Sequence, residues 1–395
     1  MKYSRIIIVV LDGFGVGLLP EADHNVQNKS SFEDIIDSIG LPQIPTLKSL
    51  GFLNMTEKYG DEKGKYSACY GKMRVQSPFK DSWAGHWELA GWKMNNNMDT
   101  SYWTNGFSST IVQQFENDIK YKIIGNKAFR RREDVLPMYI EEHMKTERSI
   151  ILLTEEGIES VRTFGLYALM DKIPVEELYQ ICELAVEKLQ LFNKIFGRIG
   201  ARPLVMTKDK RIDVPHNKRK DFLIFSPPEN TVLEVLEEYG IGCYSVGKVS
   251  DMFRGRHITD SIQTRSNAES MDGILKYMNI IYKGVIWGNL NDFDAKYGHC
   301  FDKNGWNAGL KEVDIRLKEL LANMKDDDLL VICSDGHGCD CTYTGVHTYE
   351  YSPLIVYSPL MESGSLGYNN KLNDLAATIA DNFEIPYKCN GNTLL

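Results

Sequence analysis

The architecture of this chain can be inferred first from the segment Arg5-Ile6-Ile7-Ile8-Val9-Val10-Leu11-Asp12-Gly13-Phe14-Gly15-Val16-Gly17. Its first seven residues have the length and the β-branched composition of a buried strand. Alternating glycines follow, but their spacing does not match the dinucleotide-binding pattern, and the charge of Asp12 would oppose a pyrophosphate. A carboxylate directly after a buried strand is instead suited to hold a metal at the carboxyl edge of a parallel sheet. A turn-forming Asp-Gly pair is the alternative interpretation.

Two further predicted strands also lead into acidic residues. The strand at 284–290 runs into Asp294, and the strand at 329–333 runs into Asp335. Three histidines follow these acids: His299, His337 and His347. Each histidine alone is more typical of a surface or hydrogen-bonded core residue, but three acids and three histidines after strands of one domain indicate a shared site. Mixed carboxylate and imidazole ligands suit Mn²⁺ or Zn²⁺.

The order of predicted elements indicates the fold class. Strands alternate with helices beyond about residue 221, which is typical of a doubly wound, mainly parallel α/β sheet with right-handed crossovers. A chain of 395 residues is also too long for one ordinary core. We therefore predict a dimetal catalytic core from residues 1–96 and 221–395. A smaller α/β cap, residues 97–220, is predicted to be inserted in it.

A second informative segment is Asp81-Ser82-Trp83-Ala84-Gly85-His86-Trp87-Glu88-Leu89-Ala90-Gly91. It predicts a loop that enters a helix, with Ser82 near the helix start. Backbone N–H groups at that end favour an anionic ligand such as phosphate. Ser82 as a simple helix N-cap is the alternative. The separate acid and histidine clusters favour a nucleophilic hydroxyl between two metal ions.

Composition excludes several classes of protein. The formal net charge of −9 argues against a general nucleic-acid binder. No apolar run approaches the roughly 20 residues that a membrane span needs, and Ile6 to Leu11 is too short for a secretory signal core. The eight cysteines, which include no Cys-x-x-Cys pair, fit reduced thiols, and for Cys339 and Cys341 a structural or incidental role is favoured. We predict a cytoplasmic monomer with no nucleic-acid or membrane partner.

The longer motifs resemble those of the phosphopentomutase family, within the alkaline phosphatase superfamily, over nearly the whole chain. The motifs that carry this resemblance are Val10-Leu11-Asp12-Gly13-Phe14-Gly15, Gly85-His86-Trp87-Glu88, Ile124-Gly125-Asn126-Lys127, Glu141-Glu142-His143-Met144-Lys145-Thr146, Ala201-Arg202-Pro203, Gly247-Lys248-Val249-Ser250-Asp251, Asn291-Asp292-Phe293-Asp294, Tyr297-Gly298-His299 and Glu350-Tyr351-Ser352-Pro353.

The resemblance implies a two-metal core with an inserted cap, using Mn²⁺, with Zn²⁺ or Mg²⁺ as alternatives. It assigns one metal to Asp294, His299 and His347, and the other to Asp12 and Asp335. Ser82 falls between them, where the family carries a phosphorylated threonine. Basic positions that contact substrate phosphate in the family match Arg202, Arg211 and Lys248.

Two regions depart from the family pattern. The family has histidine directly after the third acid, whereas Gly336 stands between Asp335 and His337. Either the second metal lacks that ligand, or Gly336 forms a bulge that returns His337 to it; we predict the bulge. Residues 155–158, Glu-Glu-Gly-Ile, replace a polar stretch that contacts the sugar, and the arginines at 130–132 are foreign to the pattern.

Three functions follow as hypotheses. The first is a phosphopentomutase-like isomerase that moves phosphate between C1 and C5 of a pentose through phosphorylated Ser82. A mutase must keep water from the phosphoserine, and the inserted unit with Arg202 and Arg211 is predicted to do so. The second is a phosphatase or phosphodiesterase on the same core. The third is a non-catalytic metal-binding relative, which only Gly336 favours.

Overall fold

A computed structural model describes residues 1–22, 29–56, 58–60, 64–94, 106–129, 132–155, 162–190, 197–209, 211–215, 218–224 and 227–395. The chain divides into two compact units. The first unit contains Met1–Met94 and Pro227–Leu395, and the second is Asn95–Ser226. No helix among these described residues is long and apolar enough to cross a membrane.

An eight-stranded sheet forms the centre of the first unit, in the order β10-β9-β11-β1-β12-β15-β2-β16. Its strands are β1 (Arg5–Leu11), β2 (Cys69–Arg74), β9 (Cys243–Val246), β10 (Asp260–Ile262), β11 (Gly284–Leu290), β12 (Asp328–Ser334), β15 (Ser352–Tyr357) and β16 (Gly364–Lys371). The strands from β10 to β12 pair in parallel, and β15 runs antiparallel to both neighbours. The mixed α/β fold with a mostly parallel sheet, predicted from the alternation of strands and helices, is confirmed.

The central strand β1 is apolar from Ile6 to Leu11 because helices cover both faces of the sheet. Ile7, Val9 and Leu11 pack into one large core with the helices Ser31–Ile39 and Lys303–Ala322. On the opposite face Trp287 of β11 lies against His86 and Phe253. A strand buried on both faces has no need of alternating polar residues, so its sequence is a continuous apolar run.

The helices of the first unit lie between its strands along the chain and after the last strand. They are Ser31–Ile39, Pro45–Ser49, Ser82–Leu89, Val232–Glu238, Val249–Met252, Asn267–Ile280, Lys303–Ala322 and Asp374–Asn382, with a 3₁₀ turn at Phe52–Met55 and a π-helical turn at Phe293–Gly298. Two short strands, β13 (Gly338–Cys339) and β14 (His347–Thr348), form a separate antiparallel pair.

The second unit has its own sheet, in the order β3-β4-β5-β6-β7, with β8 also paired to β6. Its strands are β3 (Lys122–Phe129), β4 (Ser149–Glu155), β5 (Arg162–Leu169), β6 (Gly197–Met206), β7 (Ile212–Asp213) and β8 (Lys220–Leu223), and its helices are Ser109–Ile119, Arg132–Lys145 and Val175–Gln190. The sequence prediction ended this unit at residue 220. Because β8 pairs with β6, this unit extends to Ser226 instead.

Candidate metal centre and nucleophile

Asp12 and Asp335 lie side by side at the carboxyl edge of the first sheet. β1 and β12 are parallel neighbours, and Leu11 pairs with Ser334, so both strands deliver their acids to one point. Both side chains are buried, and Asp335 Oδ1 accepts a hydrogen bond from the Gly13 N–H at 3.1 Å. His337 Nε2 lies 3.2 Å from Asp335 Oδ2. Asp12, Asp335 and His337 offer ligand atoms within 4.8 Å of one another.

A second group forms around Asp294, which the π-helical turn after β11 carries. Asp294 Oδ1 is 3.2 Å from His347 Nε2 and 3.4 Å from His299 Nε2. Reciprocal hydrogen bonds between Asp292 and Asn267 hold the start of this turn. Two candidate ligand groups include Asp294: one with His337 and His347, and one with His299 and Cys339.

The three histidines are oriented in the same way. Each Nδ1 lies within hydrogen-bond distance of a backbone carbonyl: His299 of Gly345 at 2.6 Å, His337 of Gly338 at 3.1 Å and His347 of Lys80 at 2.8 Å. An Nδ1–H that donates to a carbonyl leaves Nε2 available as a ligand, which is the usual arrangement in metal sites. The rings also stack, with centroids of His337 and His347 3.9 Å apart.

The donor set fits divalent metal ions. Asp294 Oδ1 and Asp335 Oδ2 are buried and make no hydrogen bond of good geometry among the described residues, although imidazole nitrogens lie 3.2 to 3.4 Å away. Buried carboxylate oxygens without such a partner are costly unless a cation compensates them. Carboxylate and imidazole together suit Mn²⁺ or Zn²⁺.

Ser82 is the first residue of the helix Ser82–Leu89, and its N-cap is Asp81, whose carboxylate accepts from the Trp83 N–H. The simple N-cap alternative for Ser82 is therefore wrong. Ser82 Oγ lies 3.2 Å from Asp12 Oδ1, 3.5 Å from His337 Nε2 and 2.8 Å from Lys248 Nζ.

Gly85 explains how this helix comes so near the acids. A Cβ atom at this position would lie 1.7 Å from the carbonyl oxygen of Asp335. No side chain fits there, so glycine is required for the helix to bring Ser82 to the sheet edge. Glu88 lies on the same helix and holds the loop that precedes it, because its carboxylate accepts hydrogen bonds from the N–H groups of Gln76 and Ser77.

We name Asp12, Asp335, His337, Ser82 and Lys248 the nucleophile half of the centre. We name Asp294, His299, His347 and Cys339 the distal half. Lys248 Nζ contacts Asp12 as well as Ser82, so the nucleophile half contains a fixed cation.

Burial and charge shift the pKa values of these groups in opposite directions. Burial, reinforced by the charge of Asp335, raises the pKa of Asp12 to about 8. Burial opposes the charged form of His337, but neighbouring Asp335 prevails and raises its pKa to about 10. Asp294 is buried too, yet the charge of His347 holds its pKa well below the usual value. Lys248 has a raised pKa because Asp12 outweighs the effect of burial, so its amine remains protonated.

Gly336 has φ = +84°, a conformation that glycine adopts readily, and the next residue turns back to Asp335. His337 thereby joins the group with Asp12, as the bulge hypothesis expects. Asp340, which directly follows β13, accepts hydrogen bonds from the N–H groups of Thr342, Tyr343 and Thr344. Its carboxylate is thus committed to the turn.

The other predicted substrate residues belong to the second unit. The Arg202 guanidinium bonds to Asp221 Oδ1 at 2.6 Å and its side chain is 8% exposed. Arg211 pairs its backbone with Thr207 in the β6–β7 turn and is exposed. The stretch 156–158 and the arginines at 130 and 131 lie outside the described residues.

Sequence reasoning missed three contributors to the site. Asn289 donates to Asp12 Oδ2 at 2.7 Å, and a polar residue within the fully buried strand β11 was the available signal. His86 is buried with Nδ1 2.9 Å from the Ser82 carbonyl, and burial lowers its pKa to about 4. The third is Cys339, whose thiol lies with the ligand atoms of Asp294 and His299 within 4.8 Å of one another; the structural or incidental role favoured for it stays a prediction.

Comparisons with known proteins extend over both units. The sequence model of the Metalloenzyme superfamily matches residues 4–387. A phosphopentomutase of Caldanaerobacter subterraneus subsp. tengcongensis is 38% identical over 386 residues, covering 97% of this chain and 95% of the relative. Phosphopentomutases of Clostridioides difficile and Acetivibrio thermocellus are each 36% identical, and the alignments cover 97% of both chains for the first and 99% of both for the second.

Proposed function

The chain belongs to the phosphopentomutase family of the metalloenzyme superfamily, and we infer that it is a metal-dependent phosphomutase, an isomerase acting on pentose phosphates. Its substrates are a ribose or deoxyribose 1-phosphate and the corresponding 5-phosphate. The identity of over 30% with several relatives so named, along almost the full chain, supports this function.

The observation that carries the chemistry is the position of the Ser82 hydroxyl. Its oxygen lies beside Asp12, His337 and Lys248, at the start of a helix whose N–H groups favour a phosphate. Lys248 Nζ stays positively charged and stabilises negative charge on the serine oxygen as that oxygen attacks or leaves. We assign Ser82 as the residue that carries the phosphoryl group on the enzyme between turnovers.

Two divalent ions would be held by the two halves of the centre. Asp12, Asp335 and His337 would hold one, and Asp294, His299 and His347 the other. When bound, such ions polarise phosphoryl oxygens and lower the pKa of a nearby hydroxyl. The family resemblance favours Mn²⁺, and carboxylate and imidazole donors are compatible with it.

The proposed cycle conserves one phosphoryl group on the protein. Phosphoserine 82 transfers its phosphoryl to the free hydroxyl of the sugar monophosphate: the bond from Ser82 Oγ to phosphorus breaks, and the proton of the sugar hydroxyl passes to Ser82 Oγ. The resulting sugar bisphosphate then returns its other phosphoryl to Ser82 Oγ, which releases the isomer. In this return step the proton passes back to the sugar oxygen that loses its phosphoryl. Water that reached the phosphoserine would hydrolyse it and end the cycle. A working mutase must therefore isomerise its substrate faster than it releases phosphate.

An assay with ribose 1-phosphate tests this directly. Enzyme and Mn²⁺ are incubated with the sugar, and ribose 5-phosphate and inorganic phosphate are followed together. We expect ribose 5-phosphate to form much faster than phosphate. Phosphate release as fast as substrate loss would replace the mutase assignment by a phosphatase. Absence of both products would direct the test to other phosphosugars, since residues 155–158 depart from the family pattern.

The role of Arg202 is tested by a matched pair of substitutions in the second unit. Arg198 and Arg202 both pair with Asp221. We propose that Arg202 contacts a substrate phosphate, so Arg202→Ala should depress isomerisation more than hydrolysis of a small aryl phosphate. Arg198→Ala controls for the loss of an arginine beside the same acid. Equal effects of both substitutions would assign Arg202 a structural role. Cytoplasmic location and a monomeric state stay predictions.

A further inference from the structure

Cys339 is held opposite a metal-ligand candidate by a short β-ladder. The strands β13 and β14 pair antiparallel, and Cys339 is the direct partner of His347. Side chains of directly opposed residues leave the ladder on the same face. The thiol of Cys339 therefore projects to the same side as the imidazole, and only 1% of the residue is exposed.

The thiol faces two other ligand candidates. The ligand atoms of Cys339, Asp294 and His299 all lie within 4.8 Å of one another. Cys339 Sγ is 3.6 Å from His299 Nδ1, which is the ring nitrogen that also lies 2.6 Å from the Gly345 carbonyl. The opposing backbone also leaves room for the sulfur, because a Cβ atom at Gly298 would lie 2.5 Å from Sγ. Cys339 thus occupies a space shaped around it inside the distal half.

Cys341, two residues on, provides the contrast. It is equally buried, but its Sγ donates to the Tyr297 carbonyl at 3.3 Å. Within the part of the chain that the structure describes, it joins no candidate ligand group. Two residues spaced by one position on a strand would point to the same face, so the spacing alone does not tell these thiols apart. Of the two, only Cys339 lies in the β13–β14 ladder and joins the candidate ligand group with Asp294.

We propose that Cys339 is a thiolate ligand in the distal half, with Asp294 and His299, and that it makes this half prefer a thiophilic ion such as Zn²⁺ or Co²⁺ over Mn²⁺. The inference rests on the two-metal centre of the proposed function. Coordination replaces the S–H bond by a sulfur–metal bond and releases the proton to solvent. Thiolate ligands strengthen the preference for these ions, whereas the nucleophile half offers only oxygen and nitrogen donors and lacks this contribution.

Cobalt reports the ligand without any measurement of activity. Metal-free protein is titrated with Co²⁺, and the near-ultraviolet thiolate-to-cobalt charge-transfer band is recorded together with the weaker visible bands. The wild type and Cys341→Ser should both develop the charge-transfer band. Cys339→Ser should lack it while still binding cobalt. In competition experiments the preference for Zn²⁺ over Mn²⁺ should fall by on the order of tenfold in Cys339→Ser.

X-ray absorption on the zinc-loaded wild type keeps the test independent of any variant's folding. A sulfur neighbour at about 2.3 Å is expected. Cobalt or zinc bound without a sulfur neighbour would overturn the thiolate assignment and leave the phosphomutase function intact. A sulfur neighbour in a protein that isomerises neither ribose 1-phosphate nor any other pentose phosphate would instead overturn the proposed function and keep Cys339 as a ligand.

Discussion

The nucleophile half and the distal half both hold buried carboxylates close to imidazoles, but different structural elements bring these groups together. Asp12 and Asp335 leave adjacent parallel strands, so sheet register alone brings them together. Asp294 and Cys339 sit instead on a π-helical turn and a two-residue strand. The nucleophile half also contains Lys248, whereas the distal half is balanced by stacked imidazoles, with His299 and His347 centroids 5.1 Å apart.

The difference indicates that the two halves have different roles in the proposed reaction. A protonated lysine beside the serine oxygen supplies positive charge even without metal, which suits a group that must accept and return a phosphoryl. The distal half carries only histidines and a thiol around its acid, so its positive charge depends on imidazole protonation or on a metal. We expect perturbations of the first half to act on chemistry and those of the second to act on metal identity.

Loss of the serine hydroxyl should have the largest effect. Ser82→Ala is expected to lower isomerase turnover by at least about a thousandfold, because it removes the hydroxyl that we propose carries the phosphoryl. The distal half should keep its metal, which elemental analysis measures. Ser82→Thr retains a hydroxyl and is the control.

Mass spectrometry after incubation with a sugar bisphosphate sharpens this prediction. Phosphate should be found on Ser82 in the wild type and be absent from that position in the alanine variant. Phosphate mapped only to another residue would contradict the assignment of the nucleophile half.

The pH dependence of metal affinity should be the next largest effect. The raised pKa of Asp12, about 8, means that the carboxyl holds a proton below that pH in metal-free protein. A metal must displace this proton and also the proton on His337, whose pKa is about 10. Affinity should therefore rise by about a hundredfold per pH unit below pH 8 and by about tenfold per unit from pH 8 to pH 10. Calorimetry in buffers of different ionisation enthalpy counts the protons released. Asp12→Asn should release one proton fewer; an unchanged count would contradict the role of Asp12.

Gly336→Ala should have the smallest effect of the three. The new Cβ would lie 2.6 Å from Leu372 Cδ1 at a φ of +84°, and we expect a loss of roughly 1–3 kcal/mol in the free energy of unfolding. Gly240→Ala is the matched control, since φ is +68° there but nothing lies within 4 Å of the added atom. Denaturant titration compares them. Equal losses would show that the close contact at position 336 is unimportant.

The sequence predicted those features that depend on regular strands. The apolar run of β1 and the acids after three strands indicated a parallel sheet with a polar carboxyl edge. The distal half was harder to predict, because the pairing of Cys339 with His347 is a long-range register within a loop that carries no hydrophobic pattern. β2 and β16 were missed because neither is a continuous apolar run, and β16 is largely exposed. The partner of Arg202, Asp221, was likewise not predicted. It lies on β8, which pairs with β6, whereas the sequence prediction assigned residues from 221 onward to the core.

The carbonyl groups that orient the three histidines have a consequence for sequence variation. Lys80, Gly338 and Gly345 serve these rings through their backbone oxygens. Every amino acid supplies such an oxygen, so selection at position 80 acts on the path of the main chain rather than on the lysine side chain. Relatives can therefore differ at position 80 while keeping the same imidazole orientation. Positions 338 and 345 are restricted for another reason, since a Cβ at Gly338 would lie 2.2 Å from Glu350 Oε1 and Gly345 has a φ of +63°.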